Sequence, residues 1–172
     1  LLWALKSFYW ASERRYALCI HDDGSLEDEH KAILQEHFPD ARVIERKAAD
    51  AQVIPTLTDY PRALDFRKEN HLAPKLFDFR TYLESDRMLL LDSDVLFFGE
   101  PTELLRRIED ASYQKNSVNR DVDTAYTVDP EDVKAQFGFE LVPQFNSGLG
   151  LIHRDSLRLD WIESFLGLPN IC

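Results

Sequence analysis

Met88-Leu89-Leu90-Leu91-Asp92-Ser93-Asp94-Val95-Leu96-Phe97-Phe98 decides how the rest of this 172-residue chain is read. Apolar residues lead into Asp92 and resume after Asp94, so two carboxylates interrupt what otherwise reads as a continuous buried strand. Burying an ionised carboxylate without a partner is costly by several kcal/mol. The pair must therefore lie unburied at the end of a strand or beside a cation that neutralises it. In an extended segment Asp92 and Asp94 point to one side, with Ser93 facing the other. Two carboxylates so placed repel unless they share a proton or a divalent cation. Oxygen ligands of this kind suit Mg²⁺ or Mn²⁺, which take one or two protein carboxylates and complete their shell with water and phosphate oxygens. A metal held in this way stabilises charge developing on a diphosphate leaving group. The plainer alternative is a solvated turn after a strand.

Upstream of this stretch, Tyr60 to Asn70 and Ala73 to Leu83 read as two helices, the second apolar around most of its circumference. Further back, Leu1, Leu2, Leu5, Phe8 and Tyr9 recur at helical spacing. Tyr16-Ala17-Leu18-Cys19-Ile20 is a short apolar run that suits a strand buried on both faces. His21-Asp22-Asp23-Gly24-Ser25 follows as a turn, with Ser25 an N-cap candidate for a helix that stops at Pro39. Ala41 to Ile44 reads as a second strand; Glu45 to Thr58 shows no clear period, and Pro55 excludes a central strand there.

Downstream, Pro101 suits the first turn of a helix running to about Ile108. Tyr113 to Val128 reads as a strand pair or an irregular loop, Pro130 to Phe137 as a weak helix, Gln144 to His153 as a strand, and Ser156 to Leu166 as a closing helix. Strands alternating with helices predict an α/β fold, with a mostly parallel central sheet flanked by helices. Ligands of such sheets bind outside the carboxyl ends of the strands. Asp22-Asp23, Asp92-Asp94 and Asn146 all fall at or beside strand ends on this reading.

The length suits one domain covering residues 1–172. With 31 acidic against 20 basic residues the formal charge is −11, and neither nucleic acid nor an anionic membrane surface is an expected partner. Cys19 and Cys172 are the only cysteines, too few for a disulfide framework or a zinc cluster. No apolar run reaches the roughly 20 residues that span a bilayer. The expectation is a soluble, cytoplasmic protein without an integral membrane segment. The opening Leu1-Leu2-Trp3-Ala4-Leu5-Lys6 reads as helix interior, as if the sequence were a piece of a longer one.

Each further candidate has a bland reading beside the functional one. Asp22-Asp23-Gly24-Ser25 is an ordinary strand-to-helix turn unless a metal-diphosphate site lies next to it, where an acid accepts hydrogen bonds from a base or ribose. Asn146-Ser147-Gly148 serves a bulge, or the close backbone approach that a sugar beside the strand requires. Asn146 offers donors and acceptors for sugar hydroxyls. Lys75 is a solvated lysine or a phosphate contact. His21, His30, His37, His71 and His153 show no metal spacing.

Together these residues resemble a nucleotide-sugar glycosyltransferase of the GT-A fold. Leu89-Leu90-Leu91-Asp92-Ser93-Asp94-Val95-Leu96 resembles that group's Asp-x-Asp motif in its hydrophobic frame, followed by Pro101-Thr102-Glu103-Leu104 opening a helix. Phe145-Asn146-Ser147-Gly148-Leu149 is similar to the Asn-(Ser/Ala)-Gly strand of family 8 glycosyltransferases and relatives. Lys75 stands where those proteins often carry a basic residue against the donor, and His21-Asp22-Asp23-Gly24-Ser25 looks like the nucleotide-touching loop of family 2 enzymes. The resemblance runs from the first helix to about Leu166. It implies a Rossmann-like GT-A fold incomplete at both termini, and a hexosyltransferase-like enzyme using Mn²⁺ or Mg²⁺ and a nucleotide-sugar donor, UDP-sugar favoured, with a glycan, lipid or protein acceptor. Asp94 would ligate the metal, and Asp92 would hold ribose or a second metal position. Asn146 would contact sugar or acceptor, and Asp22, Asp23, Lys75 and Ser93 would join the donor site. No catalytic base or nucleophile is implied; Asp121, Asp123 and Asp129 are candidates by proximity in sequence.

Two rivals remain. A haloacid-dehalogenase-type phosphatase would use Asp92 as nucleophile, although Leu96 stands where that family expects Thr or Val and the motif lies on a middle strand. A catalytically silent sugar-nucleotide-binding relative would keep the acidic pair without turnover.

Overall fold

The computed structural model describes residues 1–124 and 126–169, so Cys172 lies outside the described residues. The first half contains helix α1 (Leu2–Ser12), strand β1 (Cys19–His21), α2 (Asp28–His37), β2 (Arg42–Ile44), α3 (Arg46–Val53) and α4 (Pro61–Glu69). The short helix α5 (Asp78–Tyr82) leads into β3 (Arg87–Leu91), and α6 (Thr102–Glu109), β4 (Ser117–Arg120), α7 (Pro130–Phe137), β5 (Phe145–His153) and α8 (Leu159–Phe165) complete the order.

The architecture is mixed α/β, but the sheet is not the mostly parallel one expected. Only β1 and β2 pair in parallel, as a two-stranded ribbon. The motif strand β3 sits in a separate three-stranded sheet ordered β3-β5-β4, with both pairings antiparallel. Apolar runs signalled burial without fixing direction. In β3 Leu90 is buried opposite Gly150 of β5, while Leu151 of β5, opposite Leu89 and so on the other face, is buried as well; both faces of this antiparallel sheet are covered at its centre.

Three local differences have physical causes. The helix expected over Ala73 to Leu83 is divided into a 3₁₀ turn (Ala73–Lys75) and α5, with Pro74 unable to continue an α-helical ladder. Helix α2 is capped by Glu27 rather than Ser25: the Glu27 side chain accepts from the His30 backbone, and the Glu27 N–H donates to His30 Nδ1. The stretch without apparent period, Glu45 to Thr58, holds α3 and a 3₁₀ turn (Ile54–Leu57) with Pro55 at its second position.

The largest apolar cluster gathers Val53, Leu57, Ala63, Ala73 and Phe77, backed by Leu159, Ile162 and Leu166 around α8. Within the same region Arg67 is fully buried and forms a bidentate pair with Asp78 at 2.6 and 2.8 Å, while the same Nη2 that bonds Asp78 lies 2.9 Å from Asp50 Oδ1. A second cluster places Leu5 of α1, Ile20 of β1 and Leu34 of α2 together, with Leu91 at the end of β3 packed against them. That contact sets the carboxyl end of β3 against the β1–α2 unit. No helix among the described residues is long and apolar enough to cross a membrane.

Candidate functional site

Strand β3 stops at Leu91, so Asp92 and Asp94 do not break a buried strand but follow its carboxyl end. Asp92 N–H donates to Gly148 O at 2.7 Å, continuing the β3–β5 ladder by one bond, and Val95 N–H then donates back to Asp92 O at 3.3 Å as the chain turns. Beyond the ladder the residues are no longer extended, and the same-face argument for the two acids does not apply. Asp92 is partly buried, whereas Ser93 and Asp94 are exposed.

Both alternatives read from the sequence occur: the pair lies past the strand end, and the partly buried Asp92 has a cation beside it, Lys75. Its Nζ lies 2.6 Å from Asp92 Oδ1 and 2.7 Å from Oδ2, with both side chains mostly covered. The 3₁₀ turn carrying Lys75 is anchored by the buried Ala73 and Pro74, so the ammonium is presented from a fixed base. Lys75, read from sequence as a solvated lysine or a phosphate contact, is paired with Asp92 in this structure.

The other wall comes from β5. Asn146 Oδ1 accepts from Gly148 N–H at 2.8 Å, and Asn146 Nδ2 donates to Asp121 Oδ2 at 3.0 Å. Asp121 is fixed further by Val122 N–H, which donates to Oδ1 at 2.7 Å. A Cβ at position 148 would lie 3.0 Å from Asn146 Oδ1 and 3.3 Å from Asp92 Oδ2. A side chain here would press on both neighbours, so the strand approaches them closely, one of the two readings of the Asn-Ser-Gly pattern. Pairing with β4 is irregular here: Val118 faces Gly150 but Asn119 faces Asn146, which carries Ser147, Gly148 and Leu149 past β4 out of register.

These segments border an open cavity of about 450 Å³ lined by Asp92, Asp94, Asp121, Asn146, Ser147 and Gly148, with Val95 and Phe145 beside them. Its volume falls in the range of small-molecule sites. Three carboxylates face it or border it, and Lys75 offsets one. Such hard oxygen ligands match Mg²⁺ or Mn²⁺ chemically. Among the described residues no group of three or more His, Cys, Asp or Glu side chains is gathered closely enough to hold a metal without added ligands.

Other sequence candidates fall elsewhere. Asp22 is buried and takes a structural role, its Oδ1 accepting from Gly24 N–H (2.8 Å) and Leu26 N–H (3.1 Å), with Lys31 3.6 Å from Oδ2. Asp23 is exposed and accepts from Ser25 N–H at 3.0 Å. Hydrogen bonding by Ser25 holds its carboxyl below the usual value, with a smaller contribution from His71 nearby. Neither Asp22, Asp23 nor Ser93 lines the cavity. Asp123 is exposed, and Asp129 caps α7 by accepting from Glu131 N–H at 2.9 Å. Of the three acids proposed by proximity, Asp121 alone reaches the cavity wall.

His21 is packed against Phe79 and Tyr82, with ring centroids 4.4 and 5.6 Å away. Burial pushes its imidazole down to about 4, while the charge of Asp78 pulls the other way. No protein-family model, curated protein or solved structure matches the chain, so any functional reading rests on the residues themselves.

Proposed function

We propose that this chain binds the donor of a metal-dependent glycosyltransferase and moves a sugar from a nucleotide-diphosphate sugar, UDP-sugar favoured, to a glycan, lipid or protein acceptor. The observation that supports it most is the meeting of Asp92-Ser93-Asp94 with Asn146-Ser147-Gly148 around one cavity, although over fifty residues separate them in sequence. Asp94 is the exposed acid of the pair and the first candidate to hold Mn²⁺ or Mg²⁺, with Asp121 or Asp92 as the second oxygen ligand. The metal would supply charge stabilisation at a diphosphate leaving group. Asp92, paired with Lys75, would accept from ribose hydroxyls or take the second metal position. Asn146 is oriented by two hydrogen bonds and has acceptor capacity left for a sugar hydroxyl. Gly148 keeps the backbone low enough for a sugar to approach.

The test is thermal unfolding of the full chain with Mn²⁺, with UDP, and with both. At a hundredfold excess over Kd a ligand adds about 2.7 kcal/mol, which raises Tm by about 5–10 °C in a chain of this size. Asp94→Asn is expected to remove the metal-dependent part. A Tm that Mn²⁺ and UDP together leave unmoved would sink the proposal. Release of sugar from a UDP-sugar panel separates an enzyme from a silent binder, and phosphorylation of Asp92 by an acyl phosphate would favour the phosphatase reading instead.

A further inference from the structure

Asp92 carries its own cation. Lys75 Nζ lies 2.6 Å from Oδ1 and 2.7 Å from Oδ2, so both oxygens of the carboxylate face one ammonium. Among the described residues Asp92 is the only acid within ion-pair distance of Lys75. On its far side the carboxylate is held against β5, where a Cβ at position 148 would stand 3.3 Å from Oδ2. The backbone under Lys75 is fixed by the buried Ala73 and Pro74 and by Lys75 N–H, which donates to Leu72 O at 3.1 Å. Its four-carbon stem remains free to swing, since lysine is a compact charge on a flexible chain.

No Lys or Arg is among the described residues that line the cavity, where Asp92 stands with Asp94 and Asp121. Lys75 reaches Asp92 from outside that lining. A divalent cation that uses Asp92 must therefore meet the ammonium at close range, and like charges a few ångströms apart repel strongly. Asp94 is exposed and open to a metal, whereas the oxygens of Asp92 are already spoken for.

We infer that Lys75 is a resident counter-ion that keeps a divalent metal off Asp92 until an anionic ligand draws the ammonium away. The inference rests on the donor-site reading above and adds a coupling to it. A diphosphate held by a metal at Asp94 offers Lys75 phosphate oxygens, which lysine binds as a point charge. Lys75 then leaves Asp92, and the carboxylate is opened to the metal. Carboxylate and ammonium each exchange one partner of opposite charge for another, so neither is stranded without a counter-charge. Metal and diphosphate thus bind better together than apart, and each raises affinity for the other by the same factor. The part of that factor that passes through Lys75 disappears with its ammonium.

The experiment is calorimetric titration of the full chain with Mn²⁺ alone and, in the presence of a chelator, with inorganic pyrophosphate. Lys75→Met should bind Mn²⁺ about tenfold more tightly than the wild type, because Asp92 is released to it. Asp92→Asn should bind pyrophosphate about tenfold more tightly without metal, because Lys75 is freed. The two side chains are 22% and 31% exposed, so water reaches whichever charge is left and the single variants keep the fold. Combining the two substitutions should abolish both gains. Asp94→Asn removes a negative charge but frees no cation, and should raise pyrophosphate affinity less than Asp92→Asn does. A Mn²⁺ affinity that Lys75→Met leaves unchanged or lowers would overturn the inference, even where Mn²⁺ and UDP together stabilise the wild type as the donor reading expects. Equal pyrophosphate gains in Asp92→Asn and Asp94→Asn would overturn it too. Gains in both single variants with no response to UDP would support the resident ammonium and sink the donor reading.

Discussion

Lowering the pH from 7.5 to 4.5 should remove about 2.5 kcal/mol of stability through one residue, His21. The imidazole titrates near 6.5 in an unfolded chain and at about 4 in the fold, because burial against Phe79 and Tyr82 penalises its charged form. Asp78 opposes that shift, while Arg42 and Arg67 add to it. Between the two values the unfolded chain binds more protons, so stability rises with pH. The contribution is complete above about pH 6.5, declines as pH falls toward 4, and is constant below. A difference of about 2.5 units at 1.36 kcal/mol each gives about 3.4 kcal/mol in all, of which about 2.5 kcal/mol is gone at pH 4.5. Carboxylates elsewhere also titrate, and a variant isolates the histidine: His21→Phe keeps the aromatic packing and removes the proton site. Urea unfolding of both proteins at pH 7.5, 6.5, 5.5 and 4.5 is the assay. The wild type should lose about 2.5 kcal/mol more than His21→Phe across that range. Equal pH dependence in the two proteins would refute the reasoning, as would an imidazole titration measured by NMR near 6.5.

Two further substitutions probe the interior and the cavity. Asp78→Ala strands the fully buried Arg67 guanidinium on Asp50 alone and should lower the unfolding free energy by about 3–5 kcal/mol; restoration by a second change, Arg67→Met, in the same urea measurement would confirm that an unpaired charge is the cause. Gly148→Ala pushes a methyl group to 3.0 Å from Asn146 Oδ1 and should cost about 1–3 kcal/mol, with UDP affinity in the presence of Mn²⁺ falling tenfold or more by calorimetry.

What the sequence revealed follows from which forces act locally. Periodic apolar positions located α1, α4 and α7 within a residue or two, because a helix that buries one face must repeat it. Ala49, Val53 and Leu57 also recur every fourth residue and are all buried, yet a small Ala and the following Pro55 concealed that period. Strand direction was not legible, since an apolar run encodes burial and not the partner on either side. At the site, the two motifs were visible and their place at strand ends already put them side by side; that Asp22 and Asp23 do not line the same cavity was not legible. Electrostatics alone called for a strand end or a cation at the acidic pair; that Lys75 would be that cation required the fold, because the lysine stands seventeen residues away on a turn anchored by Ala73 and Pro74. The burial of Arg67 was not legible either, since its two acidic partners, Asp50 and Asp78, come from other helices.

The register slip between β4 and β5 has a mechanical consequence. Gly148 O is tied to Asp92 on the β3 side, while on the β4 side Ser147, Gly148 and Leu149 have no opposing residue in sequence step. The cavity wall is clamped along one edge and carries slack along the other. Small changes in β4, or in the polar loop that follows it, can therefore be taken up by that slack before they reach the hydrogen bond holding the acidic turn in place.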